Sequence, residues 1–295
     1  MPYQARHRTG RERRRRHGCL SRVLTFILLV VLIGYPFLEP FLLETEYVTL
    51  TASDLSQDIG TLRIVYLSDI HQGPFYSQGR VAELVSRVNA LNPDLILLGG
   101  DYANDSDGAI DFFKNAPAFH ARYAVCAVVG NHDRTIPESN LSLLKSAMFS
   151  AGVTPLVNEV AQVRIGSGSV YIAGIDDVNN GYPDISLVAG QVKSSDYVIF
   201  LSHSPEAITD ALKAETADGR RGWYDLGLFG HTHGGQVALL GQWLGISNVP
   251  TRYGSGWIQE NRIDMLISRG VGTSVLPIRV LRRPQIHVIT VKSGR

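Results

Sequence analysis

An α/β fold with at least partly parallel sheets is predicted by three features of this 295-residue sequence. Short apolar runs alternate with stretches of helical periodicity from Glu46 to about Lys213. From Gln236 onward, candidate strands follow one another without helices between them. No internal repeat and no linker long enough to divide the body interrupts this order, so one sizeable core is expected.

The chain begins with a basic leader. Residues 1–22 hold eight arginines against the single acid Glu12, so the remainder is net acidic although the total charge is only +1. That remainder offers no general case for nucleic-acid binding. Sixteen uncharged residues follow, Val23 to Leu38, and then Glu39-Pro40-Phe41-Leu42-Leu43. A spanning helix needs ~20 residues, a length that Leu20 and a snorkelling Arg22 complete. The run is apolar all round, unlike an amphipathic surface helix, and Tyr35-Pro36-Phe37-Leu38-Glu39 lacks the small residues of a signal-cleavage site. The expectation is an uncleaved anchor. Residues 1–22 form a cytoplasmic leader, 23–43 a transmembrane helix and 44–295 the folded body beyond the membrane, in a single-pass arrangement set by the arginines.

In the body, strands are expected at Tyr47–Leu50 and Leu62–Leu67. A helix over Gln78–Leu91 places Val81, Leu84, Val85, Val88 and Leu91 on one face, and Asn92-Pro93-Asp94 stops it. The wholly apolar Leu95–Leu98 reads as a buried strand, followed by a helix near Ala109–Asn115 and a strand Tyr123–Val129. A helix near Leu141–Ala151 precedes weaker strands at Val153–Val157, Val160–Ile165 and Val170–Ala173. Strand Tyr197–Leu201, a helix Glu206–Lys213, a polar loop Ala214–Gly222 and strand Leu226–Phe229 come next. The tail offers strands at Gln236–Leu239, Met265–Ser268, Ile278–Leu281 and Ile286–Val291. Cys19 lies in the leader and Cys126 in an apolar run, so neither a disulfide framework nor a thiolate metal site is indicated.

Five motifs sit at the carboxyl ends of apolar strands: Asp69-x-His71, Gly100-Asp101, Gly130-Asn131-His132-Asp133, Ser202-His203 and Gly230-His231-x-His233. Ligand sites in open α/β sheets lie outside those strand ends, so the five loops should converge. In an extended backbone, residues i and i+2 project to one side, which lets Asp69 with His71, and His231 with His233, point into one site. Carboxylates, imidazoles and an amide without thiolate suit Mn, Fe or Zn, whereas calcium would take nearly all oxygen. Seven groups, Asp69, His71, Asp101, Asn131, His203, His231 and His233, exceed what one ion uses. Two divalent ions sharing a carboxylate fit the count, an arrangement that clamps the attacking and leaving oxygens in phosphoryl displacement.

The ordered set resembles the calcineurin-like metallophosphoesterases, and the resemblance runs from about Leu62 to the C-terminus. With the leader and Gly-His-Thr-His-Gly-Gly-Gln it is most similar to the membrane-anchored bacterial phosphodiesterase subgroup; Ser202-His203 replaces the Gly-His of many members. The resemblance implies a four-layer αββα sandwich of two mixed sheets, with Asp69, His71 and His233 on the first metal. It assigns Asn131, His203 and His231 to the second metal and Asp101 to the bridge. A hydroxide between the metals would attack phosphorus in line. His132 is free to bind the phosphate or protonate the leaving oxygen. Asp133 is a candidate for orienting an imidazole, or a simple turn aspartate.

Two weaker features are Asp176-Asp177, in turn-like sequence, and the loop Gly241–Ile258 with Trp243, Arg252, Tyr253 and Trp257, a candidate lip over the substrate or a plain surface loop. The leading expectation is a membrane-anchored phosphohydrolase, preferring diesters, with a phosphate-ester substrate of lipid or cell-envelope origin and no nucleic-acid partner. The alternatives are a pyrophosphatase acting on a nucleotide-linked lipid such as a UDP-acylglucosamine, which would want a cytoplasmic site, a non-catalytic metal-binding scaffold, which should lack ligands, and a metal-dependent amide hydrolase.

Overall fold

Strands that are apolar on both faces need cover on both faces, and the chain supplies it in layers. A computed structural model describes residues 10–135, 139–239, 242–243 and 249–294. A long helix α1 (Gly10–Leu38) ends in one 3-10 turn (Glu39–Phe41). The chain continues through β1 (Glu44–Ala52), β2 (Thr61–Leu67), α2 (Gln78–Ala90), β3 (Leu95–Leu98), α3 (Ser106–Asn115), β4 (Ala124–Ala127), α4 (Ser139–Ser150) and β5 (Thr154–Pro155). Next come β6 (Glu159–Ile165), β7 (Gly168–Gly174), α5 (Ile185–Ala189), β8 (Val198–Ser202), α6 (Ile208–Ala211) and β9 (Leu226–Phe229). The tail adds β10 (Ala238–Leu239), β11 (Gln242–Trp243), β12 (Gly256–Glu260), β13 (Ile263–Ile267) and β14 (Gln285–Ser293).

Two six-stranded mixed sheets result, in the orders β1-β14-β2-β3-β4-β5 and β12-β13-β9-β8-β7-β6. β2, β3, β4 and β5 run parallel, as do β13, β9, β8 and β7, while β14–β2, β12–β13 and β6–β7 are antiparallel. Side-chain alternation divides each strand between two cores. Ile64, Tyr66, Leu95 and Leu97 meet Ile172, Ile199, Leu201, Leu226 and Leu228 of the second sheet. Val65, Leu67, Ile96 and Leu98 face the other way, onto Val81, Leu84, Val85 and Val88 of α2 and Phe112 of α3. Val198, Phe200 and Phe229 are covered by Val188, Ala189, Ile208 and Ala211. Helix, sheet, sheet, helix is therefore the stacking, the four-layer sandwich that the motifs implied.

Two of the helices that cover the first sheet have a local cause at their N-termini. Ser77 caps α2 by accepting the Arg80 N–H, and Asp105 caps α3 through Gly108 (2.8 Å). Leu95–Leu98 and Leu226–Phe229 are strands with the bounds expected of them.

The tail departs from its pattern. Ile278–Leu281 is not a strand; apart from one bridge between Val237 and Val280, its backbone and the Arg279 side chain serve a loop, and Pro277 removes a donor. Gln236 closes a 3-10 turn with φ +48°, so that strand is only Ala238–Leu239. The expected loop Gly241–Ile258 lies partly outside the described residues, and its last part, Gly256–Ile258, belongs to β12. β12 and β13 form a hairpin whose turn, Asn261-Arg262, has φ of +52° and +68° at both central positions, as a two-residue primed turn requires.

Candidate metal centre

Parallel strands of both sheets end at one edge, and the loops that leave β2, β3, β4, β8 and β9 meet there. They are tied across. The Asp69 N–H donates to the Gly100 carbonyl (2.9 Å) and the His71 N–H to the Asp101 carbonyl (3.1 Å). The two sheets are joined where Asp69 Oδ1 accepts the N–H of His231 at 3.0 Å. A Cβ on Gly230 would lie 2.6 Å from Asp69 Oδ2, so this approach needs a glycine.

Asp69, His71, Asp101, His231 and His233 all take left-handed backbone, with φ between +49° and +68°. Five such residues in one site is a concentration of backbone strain of the kind found at functional centres. It also corrects the extended geometry expected of the two x-His pairs. Because the backbone turns, His231 and His233 diverge: His233 Nε2 stands 3.1 Å from His71 Nε2, whereas His231 Nδ1 faces Asn131 Oδ1 at 3.0 Å.

Three overlapping groups of potential metal ligands follow among the described residues: Asp69 with His71 and His233, Asp101 with His203 and His231, and, on the rim, His71 and Asp101 with His132. Asp101 stands between the first two. Its Oδ2 is 3.5 Å from His71 Nε2 and 3.2 Å from His203 Nε2. Several imidazole tautomers are set from behind. His203 Nδ1 donates to the Gly99 carbonyl (2.7 Å), which leaves its Nε2 directed into the site, buried and without a hydrogen-bond partner. His71 Nδ1 is held by Asn104 Oδ1 (3.2 Å). Two imidazole Nε2 atoms facing each other and a third without a partner form a donor set that fits divalent cations.

The electrostatics agree with that assignment. Burial pushes His71 and His231 down to about 4 and His233 well below its ordinary value, so these imidazoles are neutral and able to donate lone pairs. Burial also raises Asp69 to about 6. For Asp101 burial works the same way, but the imidazoles of His203, His71 and His132 outweigh it and keep the carboxylate charged. His203 is the converse: burial opposes its charge, and the Asp101 and Asp69 carboxylates overcome it.

His132 lies on the rim of a cavity of about 90 Å³ shared with Asp101, Asn131, His231, His233, Gln236 and Ser274. Its N–H donates to Asp101 Oδ1 (2.9 Å) and its Nδ1 to the Asn104 carbonyl (3.0 Å). Among the described residues, Asp133 meets backbone and not an imidazole. Its carboxylate accepts the backbone N–H groups of Asp101 (2.7 Å), Gly130 (2.9 Å) and Tyr102 (3.0 Å), clamping the β3 and β4 loops together.

Asp176-Asp177 is a turn, and it supports the site. Asp176 is buried in a two-point ion pair with Arg134 (2.9 and 3.0 Å), and Asp177 accepts the N–H groups of Asn179 and Asn180. The Asn180 amide then donates to the Asn131 carbonyl (2.8 Å). Sequence reasoning passed over Arg279, fully buried, whose guanidinium donates to the Arg269 (2.8 Å), Gly272 (3.1 Å) and Arg282 (2.8 Å) carbonyls and lies 3.5 Å from His233 Nδ1. It also passed over Glu39, buried at the end of α1. Nothing in a lone Arg or Glu marks it as buried; an ionisable residue inside an otherwise apolar strand pattern was the signal available at Arg279.

Comparison with known proteins agrees with this geometry. The chain is 30% identical over 268 residues to the uncharacterized metallophosphoesterase YkuE of Bacillus subtilis, covering 88% of this chain and 90% of that one. It is 28% identical over 242 residues to the phosphodiesterase YaeI of Escherichia coli, 77% of this chain and 81% of that one. A Danio rerio transmembrane protein with metallophosphoesterase domain aligns over 293 residues at 27% identity, 95% of this chain and 63% of that protein. The calcineurin-like phosphoesterase family pattern matches residues 62–235, which contain all five strand-end motifs. By fold, motif order and sequence, the chain belongs to the calcineurin-like phosphoesterase family.

Proposed function

We propose that the chain is a membrane-anchored, dinuclear-metal phosphohydrolase of phosphate diesters. The observation that carries this reading is Asp101 Oδ2, set within 3.5 Å of imidazole nitrogens from both sheets, between two clusters each able to hold a cation. Asp69, His71 and His233 would hold one ion and Asn131, His203 and His231 the other, with Asp101 available to both; manganese, iron and zinc suit these donors. When bound, the two ions supply Lewis acidity and an activated water for attack on phosphorus.

The chain's own residues do the rest. Asp133 keeps the ligand loops in register, so the donors are positioned before substrate arrives. The Asn104 carbonyl accepts from His132 Nδ1, so Nε2 is the nitrogen left for chemistry, and as an imidazolium the ring would give its Nε2 proton to the leaving oxygen and return to the neutral form. Diester preference is supported by the similarity to a protein described as a phosphodiesterase.

Anchoring is supported by the apolar stretch Ser21–Phe41, long enough at 21 residues to cross a bilayer, and by the likeness to a transmembrane relative. The arginine leader then places residues 1–22 in the cytoplasm, 23–43 in the membrane and the 44–295 phosphoesterase domain outside.

The test is hydrolysis of chromogenic phosphate mono- and diesters by metal-stripped protein reloaded with manganese. Metal-dependent turnover that favours bis(p-nitrophenyl) phosphate over the monoester supports the reading. Full turnover in chelator contradicts it.

A further inference from the structure

The end of the anchor is fastened to the site. Glu39, just past α1, is fully buried, and its carboxylate accepts the backbone N–H groups of Leu281 (2.8 Å) and Arg282 (2.5 Å). The Pro36 carbonyl in the last turn of α1 accepts the Arg279 N–H (2.9 Å). The same segment grips the cavity rim from its other end. Gln236 donates to the Leu276 carbonyl (2.9 Å) and accepts from the Ser274 N–H (3.0 Å), while Arg282 Nε donates to the Gly234 carbonyl (2.8 Å). Residues 274–282 are thus a strap between the mouth of the site and the apolar helix.

That strap is turned inside out. Arg279 is wholly buried, whereas Val275 is 75% exposed, Leu276 55% and Leu281 65%. Val275 and Leu281 are held at φ +60° and +55°, a backbone that costs a residue with a Cβ about 1–2 kcal/mol. Strain that exposes aliphatic side chains next to a site calls for something to receive them. Across the end of the anchor, Phe41 and Phe75 are exposed too. Arg80 joins them, its guanidinium 4.4 Å from the Phe41 ring and donating to the Phe75 (2.9 Å) and Pro40 (2.8 Å) carbonyls.

The geometry points to this rim as a membrane-contact surface on which Val275, Leu276, Leu281, Phe41 and Phe75 seat in the interfacial layer of the bilayer that α1 enters. The site accordingly takes phosphate esters presented by lipids at that surface. Continuity with the helix fixes the occupant: the apolar stretch runs to Phe41, and Leu281 hydrogen-bonds to Glu39 within that stretch, so both stand at one depth. The contact surface rests on the anchor reading of α1, while the substrate class rests also on the phosphodiesterase reading.

The test uses the full chain in lipid nanodiscs, carrying Cys19→Ser and a bimane on a single new cysteine at Leu276, Leu281 or, as reference, the exposed Leu187 of α5. Cys126 stays unlabelled because it is buried, with its thiol pushed up to about 12. Brominated phosphatidylcholine is expected to quench positions 276 and 281 at least about twofold more than position 187, as interfacial insertion requires; equal quenching overturns the surface. In the same discs, manganese-loaded Val275→Asp/Leu281→Asp protein is expected to cleave a diacylglycerol p-nitrophenyl phosphodiester at least about tenfold more slowly than wild type, with soluble bis(p-nitrophenyl) phosphate unchanged. Equal loss on both esters, or on neither, overturns the substrate class. If wild type cleaves neither ester, the phosphodiesterase reading falls and takes the substrate class with it, while the quenching still decides the surface.

Discussion

The ring nitrogen His132 Nδ1 faces the Asn104 carbonyl, and a carbonyl only accepts, so the proton on that nitrogen is fixed and the other nitrogen is left for chemistry. His132→Ala is therefore expected to retain bound metal yet turn over about 10²–10⁴-fold more slowly, measured as kcat beside metal content. A second residue-scale prediction concerns support. Arg134 and Asp176 are both buried and meet at two points, so Arg134→Met leaves a carboxylate buried without its cation. The expected cost is about 3–5 kcal/mol, read by denaturant unfolding. Equal midpoints for variant and wild type would show that the pair contributes nothing.

At the scale of elements, β8 and β9 are extended by a side chain: Asp225 Oδ2 accepts the Val198 N–H at 2.7 Å while the Asp225 N–H donates to the Val198 carbonyl. Burial, reinforced by Asp54, pushes Asp225 up to about 7 despite the Val198 N–H, which acts the other way. Between the ordinary carboxylate value and about 7 the folded chain keeps a proton that the unfolded chain has released. Stability therefore falls as pH rises through that window, and the loss is complete above it. Asp225→Asn keeps an acceptor for Val198 and should stabilise the protein at pH 8 by on the order of 1–3 kcal/mol, with the gain fading toward pH 4.

This scale also shows what the sequence made legible. Strands such as Leu95–Leu98 were readable because burial on both faces enforces a continuous apolar run, and the motifs because each ligand follows such a strand. β12 was not, since its hairpin turns on Asn-Arg instead of Asn-Gly and its strand is only half-buried. Ile278–Leu281 misled because its alternation serves a strap in which Arg279 is buried and Leu281 exposed. The turning of the x-His pairs was hidden for a third reason: left-handed Asp and His leave no mark in residue type.

Over the whole molecule, the site is a joint between two sheets, closed by side chains from strand ends that share no secondary structure. Cations that bind only the folded arrangement would hold the joint shut and add stability by mass action, about 2.7 kcal/mol at a hundredfold excess over Kd. Chelation should therefore lower Tm by several degrees, measured by calorimetry with and without EDTA, and should do so far less in Asp101→Asn. The most direct test of the account is the number of ions each chain holds, counted by elemental analysis of manganese-loaded wild type and Asp101→Asn beside their hydrolysis of bis(p-nitrophenyl) phosphate. Two ions per wild-type chain, with metal and turnover lost together in Asp101→Asn, is the predicted result. One ion or none in an active wild type, or an Asp101→Asn protein that keeps full activity, would contradict it.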